Sequence, residues 1–118
     1  MPDTAPSLLV ACLCAEWCGT CRDYRPLLEQ LGRERVGQVE IAWVDIEDHD
    51  EVPGVLDIED FPTLLIARGD DVLFYGTVLP HAQTLARLVQ SALDGDLAVV
   101  RLSELTGLPA RVRDACTR

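Results

Sequence analysis

The sequence predicts an α/β domain on a four-stranded mixed central sheet, ordered β-α-β and then β-β-α, with helices flanking the sheet and a short C-terminal extension. Three observations predict it. Apolar runs of strand length alternate with segments of helical periodicity, as in a layered α/β domain. Gly69-Asp70-Asp71 joins two such runs as a hairpin. The chain has 118 residues, 48% of them apolar, enough for one domain with its own core.

The elements follow in order. Residues 8–14, LLVACLC, are an unbroken apolar run, suited to a central strand covered on both faces. Over 19–35 the residues Tyr24, Leu27, Leu28 and Leu31 recur at helical spacing, and Gly32 and Gly37 bracket the end. Pro26 falls inside this helix, where it removes one backbone bond and predicts a kink. Residues 39–45, VEIAWVD, are the second strand. Residues 48–58 are acidic and contain Pro53-Gly54, which predicts a loop with a short helix. Residues 63–68 and 72–76 form the hairpin strands. From His81 to Leu93, the positions Leu85, Leu88, Val89, Ala92 and Leu93 mark one helix face, and Gly95 stops it. In the tail, Ser103 could start a helix, but Gly107 and Pro109 are expected to interrupt it. We divide the chain into a domain over 1–94 and an extension over 95–118.

The formal net charge is −10, and no lysine is present. Such a surface repels phosphate backbones and acidic lipid, which argues against nucleic-acid and membrane partners. Acid is concentrated between Asp45 and Asp60, a stretch without Lys or Arg. Such a run reads first as a solvated face. Leu9-Val10-Ala11-Cys12 resembles a lipoprotein cleavage box. The seven residues before Leu8, MPDTAPS, hold an aspartate and no cation, so they do not make a signal peptide. The chain reads as soluble and cytoplasmic.

The five cysteines are Cys12, Cys14, Cys18, Cys21 and Cys116, and the odd count argues against a fully paired secreted framework. The spacing C-x-C-x3-C-x2-C is unlike the paired knuckles of structural zinc, so no metal is expected. No cofactor is expected either. Cys18-Gly19-Thr20-Cys21 lies where the first strand gives way to the first helix. A helix start presents free N–H groups and a positive dipole end, which favour a thiolate at Cys18. Two intervening residues let Cys21 close a small disulfide ring with it. Cys12 and Cys14 share one strand face beneath this motif. They read as small buried hydrophobes, or as thiols within reach of Cys21. Cys116, His49 and His81 read as side chains without a catalytic part.

Ala15-Glu16-Trp17-Cys18-Gly19-Thr20-Cys21, Pro26, Asp45 and Phe61-Pro62-Thr63-Leu64-Leu65 together resemble the thioredoxin family over residues 7–94. The resemblance implies a cis bond at Phe61–Pro62, facing the CxxC motif across the active site. It implies thiol–disulfide oxidoreductase activity on protein disulfides, with Cys18 and Cys21 catalytic. Trp17, Phe61, Pro62 and Thr63 would form the substrate groove, and Gly19 and Thr20 would tune the potential. An external reductase or thiol donor would recycle the pair.

The departures are specific. The family's usual first strand and helix have no counterpart before Leu8. Thr20 stands where the family commonly has proline. Cys12 and Trp43 stand where many members bury a carboxylate and a lysine, which leaves Glu16 or water to deprotonate Cys21. Asp57, Glu59 and Asp60 lead into Phe61-Pro62 and would give the site a negative rim selecting basic partners. The alternative function is a redox sensor or a protein-binding module on the same fold.

Overall fold

The structure is a computed structural model and describes residues 8–15, 19–49, 51–52, 62–78 and 81–116. The expected elements form at the expected places. They are β1 (Leu8–Cys14), α1 (Gly19–Glu34), β2 (Val39–Asp45), β3 (Thr63–Arg68), β4 (Asp71–Thr77) and α2 (Ala82–Leu93). A single 3-10 turn at Ser103–Leu105 and a helix α3 (Leu108–Cys116) follow. The expected short helix within 48–58 lies largely outside the described residues.

The sheet order is β2-β1-β3-β4. β1 runs parallel to β2, and β3 is antiparallel to both β1 and β4. The mixed sheet is therefore a parallel crossover through α1 followed by a hairpin, whose turn uses Gly69 at φ 61. That left-handed conformation suits glycine.

Strand alternation divides β1 between two cores. Leu8, Val10, Cys12 and Cys14 pack with Leu64 and Ile66 of β3 against α1 (Tyr24, Leu28, Leu31) and α2 (Leu85, Val89, Ala92). Leu9, Ala11 and Leu13 face the opposite way, with Ala42, Val44, Leu65 and Ala67. Leu105, Leu108, Val112 and Ala115 of the tail cover this second face. With helices on both sides, every residue of β1 is buried, which accounts for its unbroken apolar run.

The tail differs from the sequence expectation. Gly107 takes φ 80 and breaks the chain direction, but Pro109 does not stop the helix. It is the second residue of α3, in the first turn, where a missing N–H costs no intrahelical bond. The tail is fastened elsewhere too. Val100 N–H donates to the Val72 carbonyl at 2.7 Å. Arg113 Nη1 donates to the Gly69 carbonyl at 2.8 Å.

Candidate functional site

Three element ends meet at one end of the sheet's central strands. β1 ends at Cys14, α1 begins at Gly19, and β3 begins at Thr63. In the ladder Thr63 stands opposite Leu13 of β1 and Thr77 of β4. Pro62, buried, precedes Thr63, and its carbonyl accepts a bond from Val78 N–H at 3.1 Å. The register therefore brings the start of α1 and the Pro62-Thr63 step to the same end of β1, although forty positions separate Cys21 from Phe61 in the chain.

Cys21 is the third residue of α1 and is fully buried at 0% exposure. Gly19 is exposed and Thr20 half-buried. Thr63 is buried. The side chains of Trp17, Cys18 and Phe61 lie outside the described residues, as do Glu16, the acidic positions Asp57, Glu59 and Asp60, and the Cys116 side chain. Among the site residues expected from sequence, the fold thus brings Gly19, Thr20, Cys21, Pro62 and Thr63 to one end of the sheet.

Beneath Cys21 lies a group that the motif alone does not announce. Cys12 and Cys14 are buried in the same core cluster as Cys21 and Tyr24. Their Sγ atoms are 2.6 Å apart. Tyr24 follows Cys21 by one helical turn on the inner face of α1 and is buried. Burial pushes its phenol well above the ordinary value, and negative charge on Cys12 and Cys14 would push it further. Tyr24 is identifiable from sequence only as an apolar helix position. Its three-residue spacing from Cys21 is the signal that would have placed it under the site.

Cys12 pairs in register with Trp43 of β2. Trp43 is half-buried, and the Arg25 guanidinium lies over its ring, 5.3 Å from the centroid. A cation over an indole at a partly exposed position is worth about 0.5–1 kcal/mol. Arg25 also meets Glu29 at 3.6 Å on the surface of α1. His49 is half-buried, with Nδ1 3.6 Å from Glu51 Oε2, whereas His81 is exposed at the start of α2.

Among the described residues no helix is long and apolar enough to cross a membrane.

Comparison with known proteins agrees with this geometry. The thioredoxin family model matches residues 3–92. The thioredoxin of Listeria monocytogenes is 34% identical over 71 residues, which are 60% of this chain and 69% of that protein. The thioredoxin of Bacillus subtilis is 28% identical over 91 residues, 77% of this chain and 88% of that one. The germline-specific thioredoxin Deadhead of Drosophila melanogaster shares the fold, with a TM-score of 0.66 at 19% identity, over 73% of this chain and 81% of its own. With its sheet order, its α1 start beside Pro62-Thr63 and these matches, the chain belongs to the thioredoxin family, a family of thiol–disulfide oxidoreductases.

Proposed function

We propose that the protein reduces or exchanges disulfides of protein substrates in the cytoplasm through a reversible Cys18–Cys21 disulfide. The observation that carries this reading is the burial of Cys21 in the first turn of α1, at the end of the two central strands where Pro62 and Thr63 begin β3. Cys18 is the residue before that helix in the chain, and the dipole and free N–H groups of a helix start favour its thiolate.

The Cys18 thiolate attacks one sulfur of the substrate disulfide, and the other substrate sulfur leaves as a thiolate. Cys21 then attacks Cys18 Sγ and releases the second substrate sulfur. The substrate gains two electrons and two protons. Cys18 and Cys21 become a disulfide, which an external thiol donor or reductase must reduce. Trp17, Phe61, Pro62 and Thr63 form the groove that receives the substrate chain, while Gly19 and Thr20 set the helix entry and the potential. The odd cysteine count favours a reducing compartment.

Insulin reduction with dithiothreitol tests the reading. Wild type should accelerate it, Cys18→Ser should abolish the acceleration, and Cys21→Ser should accumulate a mixed disulfide. A wild type no faster than Cys18→Ser would leave a sensor or binding module instead.

A further inference from the structure

Cys12 and Cys14 have no part in that mechanism, yet they are two thiols in sulfur–sulfur contact directly under it. Their Sγ atoms lie 2.6 Å apart on the inner face of β1, in contact as two free thiols. Residues two apart on a strand have Cα atoms about 6.6 Å apart, at the upper end of the range a disulfide spans, so closing the bond must draw the end of β1 together to bring the Cβ atoms within about 4.5 Å. Both side chains are shut off from solvent, at 0% and 1% exposure. An external disulfide therefore cannot reach them. Cys21 belongs to the same buried cluster, and Cys14, the last residue of β1, is the nearer of the two to the start of α1 along the strand. Tyr24, in the turn that follows Cys21, is buried in the same cluster as both sulfurs.

We propose that Cys12 and Cys14 form a second, internal redox-active dithiol that is oxidised by the Cys18–Cys21 disulfide. The proposal rests on the reading of Cys18–Cys21 as the redox pair. Cys14 sulfur attacks Cys21 Sγ, the Cys18–Cys21 bond breaks, and Cys18 leaves as a thiolate and takes the proton that Cys14 gives up. Cys12 sulfur then attacks Cys14 Sγ, and Cys21 is released and takes the proton from Cys12. One disulfide and two thiols are present before and after, so the exchange needs no further oxidant. The protein then stores two oxidising equivalents out of reach of solvent, while the surface pair returns to its reduced form.

Cleavage after Glu16 and Glu29 separates the two pairs, since residues 1–16 hold Cys12 and Cys14 and residues 17–29 hold Cys18 and Cys21. The folded protein is equilibrated in glutathione buffers of rising potential, quenched in acid, alkylated under denaturing conditions, digested and weighed. Fragment 1–16 should lose two hydrogens in less oxidising buffer than fragment 17–29, because the buried pair takes the disulfide from Cys18–Cys21 only if its own potential is the lower. In Cys18→Ser, fragment 1–16 should remain a dithiol throughout. If 17–29 oxidises while 1–16 stays reduced, the second pair is overturned and the Cys18–Cys21 reading survives. If 17–29 never oxidises, both fall. A stable cross-link between the fragments as the final state, or oxidation of 1–16 in Cys18→Ser at the wild-type rate, overturns the proposed exchange.

Discussion

Arg111 of α3 donates from Nε to the backbone carbonyl of Val52, 2.8 Å away. Val52 is fully buried within the acidic stretch, seven residues after β2 ends. The same guanidinium reaches the Thr106 carbonyl at 3.1 Å. One side chain thus ties the tail helix to the loop ahead of Pro62. Arg111→Ala should lower stability by about 1–3 kcal/mol, the cost of a buried carbonyl losing a charged donor. Urea unfolding of the two proteins checks this, and indistinguishable midpoints would show that the bond contributes nothing.

Leu108 is fully buried on the second face of the sheet, against residues of β1 and β3. Leu108→Ala should cost about 2–5 kcal/mol, as truncations of buried leucine do. Deleting residues 95–118 uncovers Leu9, Ala11 and Leu13 together. The fragment 1–94 should bind a hydrophobic dye and lose its cooperative thermal transition. A sharp transition in that fragment would make the extension dispensable for folding.

Gly32 marks a close approach between α1 and β2. A Cβ built there would lie 2.9 Å from Ile41 Cγ1, closer than any ordinary contact. Glycine costs a helix interior about 1 kcal/mol relative to alanine, so an unobstructed Gly32→Ala would stabilise. Here overpacking of about 1–3 kcal/mol outweighs that gain, and Gly32→Ala should destabilise. In the Ile41→Ala background the same change should become neutral or stabilising. A double-mutant cycle reads the reversal, and additive effects would refute the steric account.

Tyr24 links stability to alkaline pH. Burial, with lesser contributions from Cys12 and Cys14, raises its phenol above the ordinary 10.0. The folded state therefore holds the proton where the unfolded chain has lost it. This contribution is fully present below pH 10 and is lost as pH rises toward the folded value. Tyr75, also raised by burial, adds in the same direction. Denaturant unfolding from pH 9 upward should show falling stability, and Tyr24→Phe should flatten part of the slope. Equal slopes in the two proteins would refute the assignment.

What could be read before the structure follows from periodicity. Leu8–Cys14 is apolar at every position because it is covered on both faces, and such a run is visible as a strand from its length alone. α2 announces itself by its spacing and by Gly95, which takes φ 81 at its end. The tail was less legible. α3 has only nine residues, too few for a strong repeat, and Pro109 signals a helix start or a helix break equally well until its neighbours are known. The CxxC motif and Pro62-Thr63 were visible in the sequence, and the fold brings Cys21 and Pro62-Thr63 to one end of β1. The contact between Cys12 and Cys14 was not visible there, because strand alternation puts two side chains on one face without saying which rotamers turn their sulfurs together.

Because the second layer of the sandwich comes from α3 rather than from elements near β1, the partners Leu9 and Leu108 are 99 positions apart. A ribosome delivers the inner strand first and its lid last. At about 5–20 residues per second, Leu9, Ala11 and Leu13 wait at least several seconds for cover during synthesis. Nascent chains halted before Leu108 emerges should therefore be the species that chaperones grip and proteases cut.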